Sequence, residues 1–359
     1  MTYAVCIYDY FQYRSSFSSF ACMSSGGVKR NLTANSTSNT IPVIDFVRWR
    51  HGSPAERRAF ATELAHTCHR VGFFQLVGHG LEDLQARAKT MMRNLFQLPV
   101  EQKQHIAKIH SPHFRGWEPL GTERTNGRID FREQVDTWTD CEIVPEDVNV
   151  PYLRLYGPSQ YFSDKVLPGY KALTQEWFSR CGCIASDLLA AMALGLDLPE
   201  DYFEKTFGPA DKCMSLLKWI HYPGSNCGQH GVNAHKDATF LTLLLPDGPG
   251  LEIQLLDGKW VPVEVVETAF VVNLGECLQS LTGHYFVATP HRVVTNRERY
   301  SCAYFHGSEL HYRLDQPLPL ASRFAEMVRA SAFHRNARLW TNLLRSHFFH
   351  FMYCYRICK

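Results

Sequence analysis

The chain has almost no net charge: 37 Lys and Arg stand against 35 Asp and Glu, a formal +2 over 359 residues. It therefore has no general field to draw in a phosphate backbone, and a nucleic-acid partner is not expected. Long apolar runs are also missing. Runs such as FLTLLL (240–245) and AFVVNL (269–274) fall far below the ~18 residues that span a bilayer, so no integral membrane segment is expected. Of the 12 cysteines no two form a C-x-x-C pair, which removes the common zinc and thioredoxin-type signatures and leaves reduced structural thiols in a cytoplasmic protein. The first 40 residues contain a single acidic residue, Asp9, beside Arg14, Lys29 and Arg30. That composition resembles an organellar transit segment, but without a continuous apolar stretch it does not suggest secretion.

Apolar residues make up 45% and charged residues 20% of the chain, enough to bury a sizeable core. After a Ser- and Asn-rich lead-in (24–40), order is expected to begin with the alternating strand IPVIDF (41–46). SPAERRAFATELAHTCHRVG (53–72) carries a Ser-Pro start, an early Glu and a terminal Gly, the boundary signals of a helix. FFQLVGHG (73–80) reads as a strand entering a turn, 81–98 as a second amphipathic helix, 113–138 as loop and irregular strand over a site, and 161–196 as a long helix.

From Met214 to Phe305 the period changes from 3.6 to 2. Strands are expected at 215–222, 239–245, 251–256, 260–265, 269–274, 284–289, 291–295 and 299–305, with Asp257-Gly258 as a hairpin turn. Eight short strands at this spacing suggest a jelly roll. The expected fold class is α+β, a double-stranded β-helix (jelly-roll) core with flanking helices. The expected parts are an N-terminal extension (1–40), an N-terminal α/β region (41–160), a helical support (161–210), the jelly-roll core (211–310) and a C-terminal helical extension (311–359).

Within that core His235 and Asp237 are two positions apart. In an extended strand they would project to one side, and His291 from a distant strand would complete two imidazoles and one carboxylate around a metal. That ligand set is the one non-haem Fe(II) oxygenases use, with open positions opposite it. An isolated His-x-Asp is most often a solvated strand entrance, and a lone interior His a satisfied core residue. Arg299 and Ser301 on one face of the next strand shift the balance, because a buried guanidinium needs an anionic partner and a small dicarboxylate would supply it. Tyr222 offers a phenol on the first strand, with Lys218 on the same face.

These elements resemble the 2-oxoglutarate and Fe(II)-dependent dioxygenases of the isopenicillin N synthase-like superfamily. The resemblance is carried by IPVIDF, GFFQLVGHGL (72–81), HFRGW…DFREQVD, GPSQY (157–161), HYPG, AHKDATFLTLLL, GLEIQ…GKWVPV, VVNLGE…TGHYFVATPHRVV and RYSCAYF, in the family's order over about 41–306. TPHRVVTNRERYSCAYFHG and the 113–138 segment also look like the branch that contains the microbial ethylene-forming enzyme. Where the family pattern has Trp-Pro after GPSQ, this chain reads Tyr161-Phe162.

The resemblance implies Fe(II) held by His235, Asp237 and His291. It implies 2-oxoglutarate received by Arg299 and Ser301 with Tyr222 as a further contact, and O2 as the second cosubstrate. It also implies oxidation of an unactivated C–H bond of a small molecule, giving succinate and CO2, with Arg115, Trp117 and Arg132 near the substrate. Two alternatives stay open: an iron oxidase of the same superfamily that dispenses with 2-oxoglutarate, and a non-catalytic jelly roll that only binds metal. Oligomeric state is not legible.

Overall fold

Ser53 starts the first long helix by a reciprocal cap: its hydroxyl accepts from Glu56 N–H while the Glu56 carboxylate accepts from Ser53 N–H. The computed structural model describes residues 41–143, 151–224 and 230–309. The expected extensions 1–40 and 311–359 lie outside the described residues.

Among the described residues three long helices lie outside the barrel: α1 (Pro54–Arg70), α2 (Glu82–Gln97) and α3 (Tyr170–Gly195). The third begins later than the pattern from Tyr161 suggests. Pro168 disfavours a helical residue before it, and Gly169, at φ 73°, makes the turn into the helix. Helix α3 is apolar and long enough to cross a membrane, but Tyr170, Trp177, Ile184, Leu188 and Met192 are buried inside the protein, as in a core helix.

Two sheets face each other. The large one has the order β1 (Val43–Asp45), β2 (Phe73–Val77), β12 (Phe270–Leu274), β9 (Leu241–Pro246), β14 (Arg299–His306), β7 (Leu216–Tyr222), β6 (Glu133–Trp138), β3 (Gly116–Glu118). The small one runs β11 (Trp260–Pro262), β10 (Leu251–Gln254), β13 (His291–Val294), β8 (His230–His235). This is the expected jelly roll with flanking helices.

Alternation along the strands divides the protein into two apolar cores. Leu217, Trp219, Leu243, Phe270, Cys302 and Tyr304 point outward and pack with Trp177 and the helices. Ile220, Tyr222, Val271 and Ala303 point inward and meet Val232, Ile253 and Val293 of the small sheet. None of the seven cysteines among the described residues is in a disulfide.

Two expectations need correction. Residues 284–289 form no strand, because Gly283 and His284 both take left-handed backbone (φ 58° and 65°) and bend the chain after α4 (Glu276–Leu281). The eighth strand is β8, an edge strand with too few apolar side chains in HGVNAH to stand out. The 113–138 segment is more regular than a loop. It holds β3, a small hairpin of β4 (Arg124–Thr125) and β5 (Arg128–Ile129), and β6, which is buried almost throughout.

At the end of β14, His306 is 2% exposed and touches the Tyr304 hydroxyl. Burial pulls its imidazole down to about 4. The folded state thus prefers the neutral ring, and stability is lost as the pH falls from the unfolded value of ~6.5 toward that point. Between pH 7 and pH 5 the wild type should lose about 2 kcal/mol more than His306→Leu, measured by urea unfolding at both pH values. Equal losses would contradict this.

Candidate metal centre

Strand β8 ends at His235, so Asp237 is not on the same strand. It sits in the turn between β8 and β9, and His291 opens β13 directly opposite His235. The turn, rather than the continuous strand that the i, i+2 spacing suggests, swings the carboxylate to the imidazoles. A close approach fixes that turn. Glu276 N–H donates to Asp237 O at 2.7 Å and Gly275 N–H to Phe240 O at 2.9 Å. A Cβ on Gly275 would collide with the Thr239 carbonyl at 1.8 Å, so no other residue fits there unchanged.

One nitrogen or oxygen from each of His235, Asp237 and His291 falls within 4.8 Å of the others. Both Nε2 atoms approach Asp237 Oδ1, at 3.5 Å and 3.6 Å. Ligands at roughly 2.1 Å from one cation stand roughly 3 Å apart when adjacent, so this donor set closes on a divalent ion with small shifts.

The tautomers follow from the other ring nitrogens. His235 Nδ1–H donates to Asn233 O at 2.8 Å and His291 Nδ1–H to Thr289 O at 3.2 Å, which leaves both Nε2 lone pairs for the metal. Burial by itself would raise the Asp237 carboxyl, but His291 and His235 override it and hold the group well below the usual carboxylate range. Asp237 Oδ2, turned away from the imidazoles, accepts from Thr242 Oγ1 at 2.6 Å and Asn273 Nδ2 at 2.7 Å.

Arg299 and Ser301 share the inner face of β14, where Arg299 lies opposite Tyr222 and Ser301 opposite Ile220. Both are almost fully buried, and among the described residues Arg299 Nη1 and Nη2 and Ser301 Oγ have no hydrogen-bond partner. Only Arg299 Nε is engaged, by Gly248 O at 3.3 Å, with the guanidinium 5.0 Å from the Tyr222 ring centre. Buried donors without partners are costly, and a carboxylate would satisfy all three.

Two family models match this chain: the N-terminal region of non-haem dioxygenases in morphine synthesis over residues 41–164, and the 2OG-Fe(II) oxygenase superfamily over 211–308. A 2-oxoglutarate-dependent dioxygenase of Gibberella zeae is 34% identical over 277 residues, covering 74% of this chain and 71% of its own. The chain belongs to the 2-oxoglutarate- and Fe(II)-dependent dioxygenases. The proline hydroxylase buaE of Petromyces alliaceus is 29% identical over 73% of this chain and 85% of its own. Among solved structures, a 2OG-Fe(II) oxygenase family protein from Caulobacter crescentus (24% identity, TM-score 0.63, 81% of this chain and 98% of the other) shares the fold. So does the dioxygenase for auxin oxidation in rice (24% identity, TM-score 0.59, 83% and 99%). The protein is thus an oxidoreductase that uses Fe(2+), 2-oxoglutarate and O2, and a small-molecule substrate fits its family.

Of the three residues expected near the dioxygenase's substrate, two are turned away from the barrel interior. Arg115 is fully buried and its guanidinium donates to the carbonyls of Gly157, Leu155 and Thr139, so it anchors a loop. Trp117 lies opposite Val135 on the outer face of the large sheet and donates Nε1–H to Glu133 at 2.9 Å. Strand alternation explains both, since Gly116 and Glu118 occupy the inward positions. Arg132 does face inward, 3.2 Å from Asp130.

Sequence reasoning missed Thr242 and Asn273. Their signal was a polar residue inside each of two apolar runs, FLTLLL and AFVVNL. Asn273→Leu should weaken Fe(II) binding roughly 10–100-fold, the usual range for a lost partner of a metal ligand. An anaerobic Fe(II) titration giving wild-type affinity would show that Asp237 does not need this support.

Proposed function

We propose that His235, Asp237 and His291 hold the Fe(II) of this dioxygenase, and that Arg299 and Ser301 receive the distal carboxylate of 2-oxoglutarate beside Tyr222. The single observation that carries this reading is the pairing of two complementary deficits inside one barrel. A buried carboxylate between two imidazoles lacks a cation, and a buried guanidinium lacks an anion. Iron held there would let O2 act as the oxidant of a C–H bond, with 2-oxoglutarate as the co-substrate that gives up two electrons and leaves as succinate and CO2. The chain's residues orient and enclose: the backbone carbonyls of Asn233 and Thr289 set the imidazoles, Thr242 and Asn273 set the carboxylate, and the apolar inner core keeps water from the reacting centre.

We further propose a polar, charged metabolite as substrate. Beyond Tyr222 the inner faces of β7, β6 and β3 carry Lys218, Asp136, Gln134 and Glu118, joined by Lys108, Glu123 and Arg132. Lys108, Glu118 and Lys218 keep 19%, 18% and 16% of their side chains accessible, which suits groups lining an interior space. Burial works against the Glu123 carboxyl, but Lys218, Lys108 and Arg132 bring it down to about 2, so this carboxylate stays ionised at neutral pH. An apolar substrate would strip water from these charges without replacing it. The proline hydroxylase relative is named for an amino-acid substrate, which agrees with this class. A cytoplasmic location remains part of the proposal.

His235→Ala and Asp237→Ala should each abolish conversion of 2-oxoglutarate to succinate. Arg299→Met should raise the KM for 2-oxoglutarate roughly 10–100-fold, the worth of one charge-assisted contact. Oxygen uptake that persists without 2-oxoglutarate would refute the assignment of Arg299 and favour an oxidase.

A further inference from the structure

His235 is the least enclosed of the three metal-facing residues. Its side chain is 27% accessible, against 10% for His291 and 5% for Asp237. His291 packs edge-on against Phe73, at 5.3 Å between ring centres, and Asp237 is held by Thr242 and Asn273. Apart from Asp237, the one hydrogen-bond partner of the His235 ring among the described residues is the carbonyl of Asn233. The orientation of this imidazole therefore depends on where the Asn233 peptide lies.

Asn233 is on β8, the outermost strand of the small sheet, whose free edge would leave that peptide loosely held. The segment around the β4–β5 hairpin covers this edge. Phe131 N–H donates to His230 O at 3.1 Å, and Asn126 Nδ2 donates to Ala234 O.

Between these two contacts sits Asp130, whose side chain is 0% exposed. Its Oδ1 accepts from both Asn233 N–H, at 3.1 Å, and Asn233 Nδ2, at 2.8 Å. Its Oδ2 accepts from Thr125 Oγ1 at 2.6 Å and Arg132 at 3.2 Å. A buried carboxylate with four donors in place cannot shift without leaving charge unpaired, so it is a rigid post.

We infer that Asp130 is a positioning residue for the iron site: its carboxylate clamps the backbone N–H and the side-chain amide of Asn233, and through the carbonyl of that same residue it aims His235 Nε2 at the metal. No contact between Asp130 and the metal or substrate is involved. The inference rests on the reading of His235 as an iron ligand. It also ties that ligand to the charged inner wall, since Arg132 bridges Asp130 toward Glu123.

The test uses the full-length protein under anaerobic conditions, with Fe(II) titrated for affinity and Co(II) used as a spectroscopic probe. All measurements are made well below the melting temperature recorded for each variant. Asp130→Ala should weaken Fe(II) binding roughly 10–100-fold and alter the Co(II) ligand-field bands. Asp130→Asn, which keeps one acceptor for the Asn233 peptide, should fall between Asp130→Ala and the wild type. Wild-type affinity and an unchanged Co(II) spectrum in Asp130→Ala would overturn the inference, whatever happens to its melting temperature. If that variant does not fold, the same wild-type result in Asp130→Asn overturns it. His235→Ala separates the two layers: if it binds Fe(II) as the wild type does, the reading of the metal site has failed rather than the role of Asp130.

Discussion

Asp237 is a carboxylate taken out of water at the end of a barrel, and the rest of the site follows from the need to compensate that charge. Removing an ion from water costs several kcal/mol even after the surroundings relax. Two imidazoles and two hydrogen-bond donors lower this cost, and a divalent cation would complete the compensation. The same logic applies with opposite sign to Arg299. Among the described residues the barrel thus holds a carboxylate set between two imidazoles and a guanidinium whose terminal nitrogens have no partner, and an iron ion with a bound dicarboxylate would answer both.

Holding these groups in place falls to the strands. Because side chains alternate, one face of the large sheet meets the helices through Trp177, Trp219 and Tyr304, while the other stays free to carry Arg299, Ser301, Tyr222 and Lys218. A one-residue slip of β14 against β7 would turn Arg299 and Ser301 into the helical layer and bring Tyr300 and Cys302 inside. Rigidity outside the barrel is therefore a condition for the chemistry inside it. Local contacts hold the loops: Asp237 and Gly275 in one turn, Asp130 and Asn233 along the covered edge of β8.

Much of this was legible in the sequence, for physical reasons that differ between elements. The capped helix at Ser53 and the alternating runs of β7, β9, β12 and β14 follow from local pattern, and the spacing of His235, Asp237, His291, Arg299 and Ser301 follows from chemistry that few other arrangements require. Strand β8 was hidden because an edge strand needs no apolar face, and 284–289 misled because its apolar alternation is broken by two left-handed residues. That Arg115 and Trp117 face away from the barrel was not legible, because the side of the sheet taken by β3 and the residue before it depends on pairing with β6, a contact that no local pattern reveals. Asp130, Thr242 and Asn273 stayed unseen because their role lies in what they touch.

The most direct test of the central claim is anomalous diffraction from crystals grown anaerobically with Fe(II). The account predicts a single iron peak roughly 2.1 Å from His235 Nε2, His291 Nε2 and an Asp237 carboxylate oxygen. Iron bound elsewhere, or at this place without one of those three atoms, would contradict it.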